Sequence, residues 1–337
     1  MKKYLVLGAI LLLFTSVWAR EFPLCLYGVT NAKDLPEIKK AGFTCIQTYS
    51  NDANVLAKLA KAAQKQGLKV VFSPGAVIGT KYEKKAQQWP ILAWYLVDEP
   101  DVQKWTREQV QQAHQTAKKA FPNHSTALVI GQGRTITPYY DIPDIMMVDW
   151  YPVPHYPLET FGDQVSYLLE EMENRHVAEH PAWGVVQIFD WKNFKQYRPD
   201  NDRIGRFPTV AEMRFMSYDG IFNGASGLFF YTFNHLKQPM PQSAPEYWQR
   251  VKTVLGELAQ FKTIVENGTE VANPIRVHHP LRLKTWQYQG HTYTMLSNID
   301  DKPRKVPTAL QKEEWQPLYG QDKAKKIPAY SVWILKK

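Results

Sequence analysis

The chain has 337 residues, of which 44% are hydrophobic and 22% charged, and its formal net charge is +9. The lysines and arginines are spread along the chain without the dense basic blocks of nucleic-acid-binding arms, so we expect no nucleic-acid partner. Two cysteines are too few for a disulfide framework, so a hydrophobic core must hold the fold together.

The N-terminal segment has the pattern of a secretory signal peptide. Lys2 and Lys3 precede an apolar run from Tyr4 to Phe14, and Ala19 ends the segment at a small residue. A membrane anchor, the alternative, needs about 20 uninterrupted apolar residues, which is more than this run provides. We expect cleavage after Ala19 and a secreted or periplasmic monomer with no integral membrane segment.

Apolar strand-like runs and amphipathic stretches alternate over most of the remaining chain, which indicates βαβ units and a parallel sheet. The runs are LCLYGVT, FTCIQTYS, LKVVFSPG, ILAWYLVDEP, HSTALVIGQG, DIMMVDWYPV, AWGVVQIFDW and ASGLFFYTFN. Eight such units predict an α/β fold with a (β/α)8 TIM barrel over residues 20–268. An open doubly wound sheet is the alternative, but it requires a glycine-rich phosphate turn after its first strand, and GVTNAKD is not one.

Local signals place the ends of several elements. Thr106 and Gln109 form a capping-box pattern, and Gly42 and Gly67 are positioned to end their helices. Beyond the last barrel helix, two alternating segments joined by Gln289 and Gly290 indicate a β-hairpin. Residues 269–337 therefore predict a small antiparallel β-sandwich domain.

The cysteines and histidines do not indicate a metal or a cofactor. Cys25 and Cys45 both lie in apolar runs, so we expect two buried thiols in preference to a bridge. The histidines are scattered without the spacing of metal ligands. We predict neither a metal site nor a cofactor.

Polar and aromatic side chains follow the predicted strands at the ends where TIM barrels place their working residues. Asp98 and Glu99 end the fourth strand, and Asp149 ends the sixth. The other candidates, all predicted to bind substrate, are Gln47, Tyr49, Trp150, Tyr151, Gln187, Asp190, Trp191, Tyr231 and Asn234. Aromatic rings stack on sugar faces while amides and carboxylates bind hydroxyls, so the pattern favours a carbohydrate ligand.

These motifs resemble those of a known group of enzymes. WYLVDEP is similar to the strand-four end of the (β/α)8 glycoside hydrolases in which an Asn-Glu-Pro motif carries the acid/base glutamate. The order DEPD, VDWYPV, VVQIFDW and EMRFMSYDGIFNGASGLFFYTF resembles that of uncharacterised bacterial glycoside-hydrolase-like barrels over residues 24–234. The resemblance implies a secreted glycoside hydrolase with Glu99 as general acid/base.

The chain departs from that clan at two positions. Asp98 stands where the clan has asparagine, and Gln187 stands where it has its nucleophilic glutamate. Asp149 is one replacement, as nucleophile if it lies ~5 Å from Glu99 or as base for an inverting water at ~6.5–9.5 Å. A second possibility is that Asp98 orients the substrate's own acetamide group as nucleophile. A third is a carbohydrate-binding or cell-envelope protein that cleaves nothing.

Three further expectations concern side-chain placement. Asp98 and Glu99, being adjacent, point in opposite directions if the strand is regular. Trp94 and Tyr95 are close to Glu99 in sequence, and we expect the surroundings of Glu99 to raise its pKa. Arg214 lies in an otherwise apolar helix and needs a carboxylate partner, which we expect to be Asp149 or Asp98 in the substrate site. A serine hydrolase finds no support, because the chain has no G-x-S-x-G elbow.

Overall fold

The structure is a computed structural model that describes residues 21–177, 179–196, 204–273, 275–319 and 324–337. The predicted signal peptide, residues 1–19, lies outside these ranges. Within them, every helix is too short or too polar to cross a membrane.

Eight parallel strands form a closed barrel in chain order, and the eighth pairs with the first, which confirms the predicted TIM barrel. The barrel strands are β1 (Leu24–Leu26), β2 (Cys45–Gln47), β3 (Lys69–Phe72), β4 (Ile91–Asp98), β5 (Thr126–Ile130), β6 (Ile145–Asp149), β7 (Ala182–Gln187) and β8 (Leu228–Tyr231).

Helices surround the barrel. They are α1 (Leu35–Lys40), α2 (Ala53–Gln66), α3 (Glu83–Ala86), α4 (Pro100–Gln103), α5 (Arg107–Ala120), α6 (Thr160–Asn174), α7 (Val210–Phe222), α8 (Met240–Ser243) and α9 (Pro245–Asn267). The predicted capping box of Thr106 and Gln109 begins α5, and Gly67 ends α2 in the left-handed conformation at φ 62°. The start of α5 and the end of α2 therefore lie where the capping residues predicted them.

The hydrophobic core has two layers. Side chains inside the barrel form one layer: Cys25, Tyr27, Cys45, Val71, Ala93, Tyr95, Ala127, Val129, Ile145, Met147, Trp183, Val185 and Phe229. The alternate strand residues face the helices in a second, larger layer. Trp94 belongs to that outer layer, where its ring stacks on Phe121 with centroids 4.3 Å apart. Trp94 is therefore close to Glu99 in sequence but faces the helices.

Cys25 and Cys45 form a disulfide, so the prediction of two free thiols is wrong. The two residues are register partners on β1 and β2, with Cα atoms 4.4 Å apart. This separation suits a bridge. Both residues are fully buried inside the barrel.

The C-terminal residues form a β-domain, as predicted. Its strands are β11 (Thr269–Val271), β12 (Leu281–Tyr288), β13 (His291–Asn298), β14 (Arg304–Lys305), β15 (Gln316–Pro317), β16 (Lys326–Ile327) and β17 (Ser331–Lys336). The two strands that precede them, β9 (Asn234–His235) and β10 (Gln238–Pro239), follow β8 and form a separate two-stranded sheet. A five-stranded antiparallel sheet runs in the order β11-β12-β13-β17-β15, with the pair β14-β16 beside it. The predicted turn at Gln289 and Gly290 joins β12 to β13, and both residues have positive φ.

Charged side chains fasten the β-domain to the barrel. Asp219 of α7 is fully buried and forms an ion pair with Arg282 of β12. Arg214 of α7 bonds Glu257 of α9 at 2.7 Å and donates to the Val332 carbonyl of β17. Arg214 therefore belongs to the contact between the domains, and its expected pairing with Asp149 or Asp98 in a substrate site is wrong.

Candidate active site

The end of β4 brings both of its acids to the mouth of the barrel. Tyr95 pairs with Ala127 and Asp98 with Val129, so β4 takes three residues where β5 takes two. This bulge turns Asp98 to the same inner side as Tyr95. Glu99 then adopts the left-handed conformation, φ 41° and ψ 61°, directly before α4. The expectation that Asp98 and Glu99 diverge assumed a regular strand, and the bulge removes that condition.

The carboxyl groups of Glu99 and Asp149 lie close enough to interact. The hydroxyl of Tyr151 donates to Asp149 Oδ2 at 3.0 Å. Asp149 Oδ1 is inaccessible to solvent and meets no N–H or hydroxyl donor of the described residues. A hydrogen bond between two carboxyl groups requires that one of them carries a proton.

Burial and neighbouring charges favour the neutral form of Asp149. Burial raises the pKa of Asp149 well above the ordinary aspartate value, and the charges of Glu99 and Asp98 raise it further. The two acids are close enough for their titrations to be coupled. The role of Asp149 as nucleophile or as base for an inverting water stays a prediction.

Asp98 is held by phenols. The hydroxyls of Tyr95 and Tyr49 donate to its Oδ1 at 2.5 and 3.4 Å, and Tyr27 donates to the Tyr95 oxygen at 3.3 Å. Burial raises the pKa of Asp98, and the two phenol hydrogen bonds lower it part of the way back. Because Oδ1 is engaged, Oδ2 is the oxygen of this carboxyl that is left to meet a ligand.

An aromatic cavity opens beside the acids. Tyr231 packs on Tyr151 with ring centroids 5.6 Å apart, and Phe189 lies edge-on to both rings. Trp191 contacts Tyr151 and Phe189. The cavity measures about 270 Å³ and is lined by Gly28, Tyr49, Phe189, Asn193, Phe194, Tyr231, Thr232 and Asn234. Apolar rings with a few polar groups are the composition of a small-ligand site.

The amide candidates occupy different positions. Asn234 lines the cavity, and its Nδ2 donates to the Gly28 carbonyl at 2.6 Å. Gln187 is fully buried, and its side-chain amide is hydrogen-bonded to the backbone. Its Oε1 accepts from Val153 N, and its Nε2 donates to the carbonyls of Val153 and Phe189. These bonds occupy the side-chain amide, and contact of Gln187 with a substrate stays a prediction. Gln47 is also fully buried, with Oε1 accepting from Gly28 N.

Two of the predicted substrate-binding residues are engaged in local structure. Trp150 turns to the outer layer, where its Nε1 donates to Thr160 Oγ1 at 3.0 Å and its ring contacts Tyr156. Asp190 accepts from Lys192 N at 2.8 Å in the turn after β7. Neither contact directs the side chain to the acids.

Several site residues were missed by the sequence analysis, namely Tyr27, Gly28, Tyr95, Phe189, Asn193, Phe194 and Thr232. Tyr27 and Tyr95 carried a usable signal, because each lies two residues after an inward residue of its own strand, Cys25 and Ala93. The other five lie at or beyond strand ends, where alternation no longer predicts direction. Among the described residues, no group of three or more histidines, cysteines, aspartates and glutamates is placed to bind a metal ion.

Comparison with solved structures shows that the fold is similar to those of several glycoside hydrolases. No protein-family model and no curated protein matches the chain. The α-amylase of Geobacillus thermoleovorans matches with a TM-score of 0.58 and 13% identity over 95% of this chain and 98% of its own. A family 5 glycoside hydrolase from Bacteroides vulgatus gives 0.61 and 9% over 94% and 88%, and a GH30 endoxylanase from Clostridium papyrosolvens gives 0.56 and 12% over 94% and 96%.

These likenesses confirm at the level of fold the resemblance to (β/α)8 glycoside hydrolases. At such low identities the roles of individual residues do not transfer.

Proposed function

We propose that this chain is a glycoside hydrolase in which Glu99 is the general acid/base for cleavage of an O-glycosidic bond. The observation that carries the proposal is the close pair of acids, Glu99 and Asp149, at the barrel mouth near an aromatic cavity. A glycosidase needs a carboxyl that gives a proton to the leaving oxygen and takes one back from water. A carboxyl beside a second, buried carboxyl whose pKa is raised is suited to such proton transfer.

Gly131, directly after β5, lies beside Glu99. A Cβ placed on Gly131 would lie 3.7 Å from Glu99 Oε1 and 2.9 Å from Val102 Cγ2, so a side chain at this position would crowd Val102 and touch the carboxyl. When a glycosidic oxygen reaches Glu99, it competes with Asp149 for that carboxyl.

The aromatic rings support a sugar as the ligand. Tyr231 and Tyr49 line the cavity, and Tyr49 also bonds Asp98, so one residue connects the binding surface to the acids. Stacking of a pyranose on such rings, with hydroxyls bound by Asn193 and Asn234, would orient the sugar toward Glu99.

We further propose that the protein is exported. The support is the lysine-led apolar segment ending at Ala19 and the buried disulfide of Cys25 and Cys45, a bond typical of oxidising compartments. Expression of the full-length chain tests this proposal by cell fractionation and mass spectrometry. A chain that begins at Arg20 outside the cytoplasm supports export, and an uncleaved cytoplasmic chain contradicts it.

The variant Glu99→Gln tests the hydrolase proposal. Screening aryl glycosides and polysaccharides should identify a substrate, and kcat on it should fall about 10²–10⁴-fold in Glu99→Gln, the usual contribution of a general acid. Glu108→Gln, an exposed change on α5, is the matched control and should keep the parent rate. A Glu99→Gln protein that cleaves as fast as the parent would remove Glu99 from the mechanism.

A second function, carbohydrate binding without cleavage, is favoured by one observation. Gln187 occupies the strand-seven position of the expected nucleophile, and its side-chain amide forms three hydrogen bonds with the backbone. Retention on a glycan array without release of reducing ends would favour binding over hydrolysis.

A further inference from the structure

The contacts of the other residues predicted for the site, as far as the structure describes them, do not identify the group that attacks the anomeric carbon. Asp149 is in contact with Glu99 itself. Asp190 bonds the backbone of Lys192, and the strand-seven position holds the amide of Gln187. Asp98 is the remaining acid, and it comes from the same strand end as Glu99. An attacking group must approach the anomeric carbon from the face opposite the leaving oxygen.

The contacts of Asp98 suit a different task. Its Oδ1 accepts from two phenols, one of which, Tyr49, lines the cavity. The second oxygen of a carboxyl fixed in this way can accept an N–H from a ligand that extends from the cavity past Tyr49 to Asp98. Sugar hydroxyls can both donate and accept, but an N-acetyl group presents one N–H donor and one carbonyl oxygen in fixed relation. A carboxylate that holds this N–H turns the carbonyl oxygen toward C1.

We propose that the substrate is a 2-acetamido-2-deoxy sugar whose own carbonyl oxygen is the nucleophile, with Asp98 accepting the acetamide N–H and Glu99 protonating the leaving oxygen. This inference rests on the proposed hydrolase function and names its substrate class. It supplies the attacking group from the substrate.

The steps balance without any further reagent. The carbonyl oxygen forms a bond to C1 while the C1–O glycosidic bond breaks, and the leaving oxygen takes the proton of Glu99. The resulting cyclic oxazolinium keeps its N–H, and Asp98 stabilises its positive charge. Water then adds to C1 and gives a proton to Glu99, the C1–O bond to the acetamide breaks, and the acetamide re-forms. The product retains its anomeric configuration.

The cavity is consistent with one such residue. At ~30 Å³ per water, its volume of about 270 Å³ corresponds to roughly nine waters, which is room for a single sugar and its acetamide. Phe189, Phe194 and Tyr231 provide an apolar wall for the acetamide methyl group. Attack from the opposite face also requires the acetamide and the leaving group to be trans, so gluco- and galacto-configured substrates must be β-anomers.

Substrate selectivity provides the first test. The 4-nitrophenyl β-glycosides of N-acetylglucosamine and N-acetylgalactosamine are compared with the plain β-glucoside and β-galactoside. We expect kcat/KM for at least one acetamido sugar to exceed that of its plain counterpart at least 100-fold. Equal rates would overturn this inference and leave the hydrolase proposal intact, whereas no cleavage of any glycoside in the wider screen would overturn the hydrolase proposal itself.

The electronics of the nucleophile provide the second test. Replacing the N-acetyl group by mono-, di- and trifluoroacetyl withdraws electrons from the carbonyl oxygen, so kcat should fall progressively across the series. Rates that are insensitive to fluorine contradict attack by the acetamide.

Variants complete the test. Asp98→Asn should lower kcat on the acetamido substrate at least 100-fold and change its fluorine sensitivity, while Asp141→Asn, in a surface ion pair with Arg107, should behave as the parent. The double variant Asp200→Asn, Asp202→Asn tests the two acids between residues 196 and 204, which lie outside the described residues. Loss of activity in that variant, with Asp98→Asn still active, would overturn the proposal in favour of a protein nucleophile.

Discussion

Removing the disulfide of Cys25 and Cys45 should destabilise the protein measurably. The bridge joins residues 20 apart in sequence. In the chain-entropy account, closing a loop of about that length costs the unfolded chain about 11 cal/mol/K, so the bridge stabilises the folded state by about 3 kcal/mol at 25 °C. For a chain of this size, that difference corresponds to a melting temperature lower by about 5 °C.

The assay compares urea unfolding of the oxidised parent, the parent refolded under reductant, and the variants Cys25→Ala, Cys45→Ala and the double variant. Because the bridge needs both sulfurs, either single change should cost nearly as much as the double change. The parent without reductant should yield no free thiol when unfolded. Two reactive thiols per unfolded chain, together with an unchanged midpoint under reductant, would refute the reasoning.

Three other changes have expected outcomes. Asp149→Asn should become more stable relative to the parent as pH rises above about 4, the ordinary pKa of an aspartate in the unfolded chain. The pKa of Asp149 is raised in the folded parent, so the parent loses folding stability as pH rises from the unfolded pKa toward the folded one. A difference in unfolding free energy that does not change with pH would contradict this. Asp219→Ala removes the carboxylate partner of Arg282 at the domain contact and should lower the unfolding free energy by about 3 kcal/mol in urea denaturation. Asp141→Ala, in a surface ion pair, should lower it by less than about 1 kcal/mol. Equal losses of unfolding free energy would show that the ion pair of Asp219 does not anchor the contact. Tyr231→Ala removes a ring of the cavity wall and should raise KM for the substrate about five- to tenfold, which corresponds to about 1 kcal/mol of stacking. Tyr231→Phe keeps the ring and should keep most of the affinity. An unchanged KM in Tyr231→Ala would place the sugar elsewhere.

The periodic features of this fold could be predicted from the sequence. The strand runs alternate with amphipathic stretches, and the capping box of Thr106 and Gln109 and the turn at Gln289 and Gly290 depend on residues close in sequence. The placement of Glu99 and Asp149 at strand ends followed from the rule that parallel strands of a barrel end at the same rim.

The features that escaped prediction depend on register and on distant partners. The bulge between Tyr95 and Asp98 changes the direction of the Asp98 side chain, and no local residue pattern predicts this bulge. The disulfide exists because Cys25 lies opposite Cys45, which requires the pairing register of two strands. Arg214 finds its partners on α9 and on the C-terminal sheet, so its position in an apolar helix indicated only that it needed a charge or a carbonyl.

The most direct test of the account is the structure of Glu99→Gln bound to the substrate that the parent cleaves. We expect the sugar in the cavity beside Tyr231, with the glycosidic oxygen within about 3 Å of the residue 99 side chain, the reach of a proton donor. A complex in which residue 99 stays against Asp149 and the scissile bond lies away from both would contradict the central claim that Glu99 is the proton donor.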